Sequence, residues 1–125
     1  MLTRYQIVRG VPASKLPKGV RQDTRKHTKH VLHPKKEWVA AYLANPSEAT
    51  WKKFSGLYRK ELERRFREDR AAFDEIAELA KETDVYLGCN CPTKKNPDVR
   101  HCHTWVALEF FKEKYPDLDV RMPAR

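Results

Sequence analysis

The chain has 125 residues, 34% of them charged and 40% hydrophobic, and its 26 Lys and Arg outnumber 17 Asp and Glu to give a net charge of +9. That length fits one domain with its own core, 1–125, needs no disulfide framework and is too short for two domains. No stretch approaches the ~20 apolar residues of a membrane span, and the opening Met1-Leu2-Thr3-Arg4-Tyr5 has no apolar signal core, so a soluble, cytoplasmic protein is expected.

Tyr5-Gln6-Ile7-Val8-Arg9 reads as a first strand stopped by Gly10. From 10 to 34 the periodicity disappears and prolines, glycines and cations take over, which predicts a long, irregular, basic loop. Lys15, Lys18, Arg21, Arg25, Lys26 and Lys29 alternate there with His27, His30 and His33, an arm suited to clamping phosphates or simply a solvated surface. The arm has no aromatic residue, so it carries no base-stacking platform of its own.

Three helices follow. Lys36 to Ala44 carries Trp38, Val39, Tyr42 and Leu43 at helical spacing and stops at Asn45-Pro46. Asn45 is the expected cap of the second helix, with Pro46 first and Glu48 third. That helix places Trp51, Phe54, Leu57, Tyr58, Leu62 and Phe66 on one face and mostly cations elsewhere. A third, about Glu68 to Glu82, buries Phe73, Ile76, Ala77, Leu79 and Ala80. Thr83-Asp84 then turns the chain into a second apolar strand beginning at Val85. A last helix, about His103 to Tyr115, is mostly apolar, and Leu118 to Met122 alternates like a short final strand. The order of elements predicts an α/β fold: a small, mainly parallel sheet covered by helices.

Between the second strand and the last helix, Cys89 to His103 gathers all three cysteines and two of the five histidines. Ligands favour such strand-to-helix junctions in α/β folds. Four readings compete. Cys89, Cys91, Cys102 and either His101 or His103 are the ligand number and type of a tetrahedral zinc site, although Cys-x-Cys is tighter than the Cys-x2-Cys of common zinc knuckles. Cys102 at a helix start, beside His101, His103 and Arg100, is also placed to be a reactive thiolate, with His103 as general base. A disulfide from Cys102 to Cys89 or Cys91 is a third reading, and burial of the cysteines as small apolar side chains is the plain one. Cysteine-phosphatase chemistry is excluded, because position 108, where that motif needs Arg, is Leu. Tyr58 and Glu61 on the second helix are the expected partners of His103, with an ion pair to Arg59, Arg64 or Arg65 as the alternative for Glu61.

Leu43-Ala44-Asn45-Pro46-Ser47, the run Trp51-x-x-Phe54-x-x-x-Tyr58-Arg59-x-Glu61-Leu62, and His103-Thr104-x-Val106-x-Leu108-Glu109-Phe110-Phe111 after an apolar strand resemble the YeaO-like family of uncharacterised proteins, domain of unknown function 488. The resemblance runs from about Arg4 to Tyr115. It implies a small α/β domain with a Cys-His pair opening the last helix, matched here by Cys102-His103, and it implies no established activity. Thr104 stands where the family often has Arg after that pair, and Val8-Arg9-Gly10 where the YeaO branch has Trp-Pro-Arg-Gly. From charge and junction together, the expected function is binding of a phosphate-bearing ligand, nucleic acid or nucleotide, with Arg9, Arg59, Glu61 and Arg100 as candidate contacts. An enzyme built on Cys102 and His103 and a structural zinc or redox module are the alternatives.

Overall fold

The structure, a computed structural model, describes residues 1–124. A three-stranded parallel sheet is formed by β1 (Leu2–Gln6), β2 (Val20–Asp23) and β3 (Val85–Cys89), in the order β1-β3-β2. Four helices accompany it: α1 (Lys36–Ala44), α2 (Glu48–Glu68), α3 (Arg70–Glu82) and α4 (His103–Lys114). The predicted small α/β domain with a parallel sheet is what the chain adopts. No helix among the described residues is long and apolar enough to cross a membrane.

β3 is the central strand, and its composition shows it. Val85, Leu87, Gly88 and Cys89 are all buried, the near-continuous pattern of a parallel strand covered on both faces. Leu2 lies opposite Val85 and Gln6 opposite Cys89 on one side, while Asp23 lies opposite Gly88 on the other. The three strands therefore end together, so their carboxyl edge is one platform beneath Cys89.

The segment 10–34 departs from the expected basic loop, because it contains β2 and a short 3-10 turn at Ala13–Lys15. Only Val20 of the four strand residues is apolar, so local pattern gave no sign of it; pairing with β3 makes it a strand. Gly19 allows the entry. Its φ is +138°, and a Cβ there would stand 2.4 Å from the Asp84 carbonyl oxygen, the acceptor of the Val20 N–H. Gly19→Ala is expected to cost about 2 kcal/mol or more, read as a lower urea midpoint with unchanged slope.

Other boundaries shift for similar reasons. β1 begins three residues before the expected Tyr5, because Leu2 is fully buried and pairs with Val85. The expected last strand is reduced to one bridge, Leu2 to Val120. The cap of α2 is Ser47, not Asn45: Ser47 Oγ accepts the Thr50 N–H at 3.1 Å and Thr50 Oγ1 accepts the Ser47 N–H at 2.9 Å, a reciprocal capping box. α4 fills the space between sheet and α2, with His103, Thr104, Val106, Ala107, Leu108, Phe110 and Phe111 buried. Phe73 of α3 packs against Phe110 with ring centres 5.6 Å apart, and Tyr58 and Leu62 of α2 are fully buried.

Candidate metal centre

The chain leaves β3 at Cys89, and residues two apart on extended backbone face the same side. Cys91 therefore follows Cys89 toward the start of α4, where Cys102 is the N-cap residue and His103 the first helical one. The three sulfurs of Cys89, Cys91 and Cys102 lie within 4.8 Å of one another. All three cysteines are free, so no disulfide joins them.

His103 completes the group by its tautomer. Its Nε2 is 2.8 Å from Thr24 Oγ1, and that hydroxyl donates its own proton to the Gly88 carbonyl at 3.0 Å. With that proton on Gly88, Thr24 Oγ1 accepts from the ring, the tautomer that carries its proton on Nε2 and turns a lone pair on Nδ1 toward the sulfurs. Nδ1 faces Cys89 Sγ at 3.7 Å and Cys102 Sγ at 3.9 Å. A tetrahedral ion with Zn–S of about 2.3 Å and Zn–N of about 2.0–2.1 Å needs S···N separations of about 3.6 Å and S···S separations of about 3.8 Å. His103 already stands near that spacing from two sulfurs, and the thiol trio needs to draw in by about 1 Å at most.

The surrounding groups fix these ligands. Asn96 Nδ2 donates to Cys91 Sγ at 3.4 Å and to the His101 carbonyl at 2.6 Å, while its Oδ1 accepts from the Tyr42 hydroxyl at 3.0 Å. Thr104 Oγ1 donates to Cys102 Sγ at 3.2 Å and accepts from Arg4 Nε at 2.9 Å. A guanidinium from β1 thus reaches the place where the Cys-His pair is often followed by Arg. Negative charge concentrates on Cys91. Hydrogen bonds from Cys102 and then Cys89 draw its thiol down to about 3 against the opposing effect of burial, helped by Asn96 and the charge of Arg4. Cys102 goes the other way: the neighbouring thiols of Cys89 and Cys91 and full burial push it well above its ordinary value. The helix start and the adjacent histidines do not make Cys102 the thiolate of the trio.

The remaining sequence candidates lie elsewhere. His101 turns away from the sulfurs, stacking on Trp51 at 5.1 Å and pairing with Glu48 at 3.2 Å. Glu61 is not the partner of His103; it is held by Arg64 at 2.7 Å and Arg65 at 2.9 Å. Tyr58 does touch His103, edge to face at 5.9 Å, but its hydroxyl donates to the Leu32 carbonyl. Arg59 pairs with Glu113 and Glu63, Arg100 with Asp98 at 2.7 Å, and Arg9 is exposed beyond β1. The basic segment is also tied down: Arg25 bonds Asp23 and Asn90, and His30 Nε2 meets Gln22 at 2.7 Å. The cavity at the junction, lined by Cys89, Cys91, Cys102, His103, Asn96, His101 and side chains of α1 and α2, holds about 70 Å³. That space suits an ion or a water and is several times smaller than a small-molecule pocket.

A family model described as "DUF488-N3a: Active DUF488-N3 subclade" matches residues 3–115. The chain belongs to the DUF488 family. No curated protein and no solved structure matches it. In this DUF488 domain the Cys102-His103 pair, legible in the sequence, is joined by four residues that sequence reading missed: Arg4, Thr24, Tyr42 and Asn96. Thr24 follows the unrecognised β2, so nothing local marked it. Thr24→Val is expected to free the His103 ring and leave the Gly88 carbonyl without its side-chain donor; if the cluster holds zinc, the change lowers its affinity about 10–100-fold in chelator competition.

Proposed function

We propose that this DUF488 protein binds one zinc ion per chain, with Cys89, Cys91 and Cys102 as thiolate ligands and His103 Nδ1 as the fourth, in a closed structural site. The observation that carries this reading is the placement of His103 Nδ1, 3.7 Å from Cys89 Sγ and 3.9 Å from Cys102 Sγ, in a ring held at Nε2 by Thr24. Four protein ligands with no open position fit a structural rather than a catalytic ion. The polar partners of Cys91, Cys102 and His103 are the outer contacts that orient zinc ligands in general. Thiols kept reduced for a metal also fit a cytoplasmic setting.

Elemental analysis of protein purified without chelator or metal-affinity resin tests it, with cobalt substitution as the second readout. One zinc per chain, and a thiolate-to-cobalt absorption band that Cys91→Ser removes, are expected. Absence of metal together with one fast-alkylating thiol would instead favour an enzyme in which a cysteine of the trio is the nucleophile and His103 the base. A phosphate-bearing partner, suggested by the net charge of +9, would on this reading bind outside the closed junction.

A further inference from the structure

Outside the candidate metal centre, a concave surface runs between α1 and α2. Two cavities of about 410 and 500 Å³ adjoin there, sharing Trp38 and Leu57 as lining residues, and together make up a trough along α2. Its upper end has an apolar, aromatic floor of Trp38, Tyr42 and Phe54, and Leu57 there is 37% exposed although the rest of the apolar face of α2 is covered. Its lower end is walled by charged side chains of α2.

The charges on this wall are unevenly satisfied. Both lining acids are neutralised, Glu61 by Arg64 and Arg65, and Glu63 by Arg59 and by Lys114 at 3.1 Å. Lys53, Lys60 and Arg67 also line the trough and make no ion pair among the described residues. They are spaced seven residues apart, so they recur every second turn along one face of α2 and span about 21 Å. A fourth cation, Lys35 Nζ, stands 5.2 Å from the Trp38 ring centre. The trough thus combines a half-exposed indole with a straight row of uncompensated cations.

We infer that this α1–α2 trough binds single-stranded nucleic acid, with the backbone phosphates along Lys53, Lys60 and Arg67 and a base stacked in the Trp38 and Leu57 end. An aromatic platform beside a cationic row is the combination that single strands use without sequence selectivity. An acidic amphipathic helix from a protein partner suits the trough less well. Such a helix anchors through apolar side chains over two or more turns, whereas Leu57 is the one exposed large apolar side chain of α2 and the rest of the exposed row is Lys53, Lys60 and Arg67. This site is distinct from the basic 10–34 segment, whose Arg21, Arg25 and His30 side chains are engaged locally.

The test is fluorescence anisotropy with the full chain and a labelled single-stranded oligonucleotide of about 12 nucleotides, across a salt series. Wild-type protein is expected to bind with an affinity that falls steeply with salt and exceeds that for the matching duplex. The triple change Lys53→Glu, Lys60→Glu and Arg67→Glu should weaken binding at least about tenfold and flatten the log–log salt slope by about 2–3. Trp38→Ala should weaken it about 5-fold or more with the slope unchanged; if that variant does not fold by circular dichroism, the uncharged change Leu57→Ser at the exposed Leu57 takes its place. Lys15→Glu with Lys18→Glu, on the other basic segment, should change affinity less than 2-fold, about the reproducibility of the assay. Undetectable binding at low salt, equal loss from the two sets of charge reversals, or competition by polyglutamate as effective as by unlabelled oligonucleotide would each overturn the proposal, the last in favour of an acidic protein partner.

Discussion

Cys102→Ser is expected to abolish stoichiometric zinc binding and to make thermal unfolding insensitive to chelator. A bound ion that the unfolded chain does not hold stabilises the fold by RT ln(1 + [L]/Kd), about 4 kcal/mol when free zinc is a thousandfold above Kd. For a domain of this length that corresponds to a Tm lower by about 10–15 °C when a strong chelator is added to the wild type. The serine variant should melt near the chelated wild type, with or without zinc. Cys102 is the informative position because it is buried at the start of α4 and its sulfur touches both Thr104 and His103. The domain should stay folded without metal, since Tyr58, Phe73, Phe110 and Phe111 form a core of their own. Identical melting of the wild type with and without chelator, on protein shown to contain no zinc, would remove the metal site.

Glu61→Gln is expected to cost about 3 kcal/mol at neutral pH, although Glu61 lies outside the candidate metal centre and pairs with none of Lys53, Lys60 and Arg67. The Glu61 side chain is only 9% exposed and the Arg65 side chain 11%, so the change leaves a buried guanidinium without its counter-charge. Arg65 also donates to the carbonyls of Val31 at 2.8 Å and His33 at 2.7 Å, so the pair fastens α2 to the end of the basic segment. The same pair sets an acid limit. Hydrogen bonds from Arg64, then Arg65, hold the Glu61 carboxyl down to about 2 against an ordinary 4.5. A carboxyl lowered on folding contributes its full stabilisation above the unfolded value and loses it as pH falls through the folded one. The wild type should therefore lose ~3 kcal/mol, as an upper bound, between about pH 4.5 and pH 2, and the Gln variant should lack that part of the slope. Equal acid slopes for the two proteins would show that the pair is not coupled to folding.

Helices were the readily legible part of this chain. α1 was readable to the residue, because Trp38, Val39, Tyr42 and Leu43 recur at helical spacing and Asn45-Pro46 ends the run. β2 was not, since a four-residue edge strand with one apolar side chain owes its conformation to β3, 62 or more residues away in sequence. The candidate metal centre divides the same way. Its thiols and His103 are close in sequence and stood out together, whereas Thr24 and Arg4 reach it through sheet pairing that no local pattern records. Charge misled at the level of single residues. Arg59, Glu61 and Arg100 looked like ligand contacts, yet each has an acid or base of its own within one or two turns or on α4. The row Lys53, Lys60 and Arg67 was visible only as part of a generally cationic helix, because what sets these cations apart is the absence of a partner.

The strand order also fixes a sequence in time. β1 and β2 do not pair with each other; both pair with β3, which is made after both of them and after the first three helices, and the one further bridge of β1, Leu2 to Val120, is made later still. A ribosome-bound chain therefore exposes two unpaired strand edges until roughly two thirds of its length has been synthesised, at about 5–20 residues per second. During that interval only the helices can form, and arrival of Val85 to Cys89 closes the sheet and brings up the first of the three sulfurs.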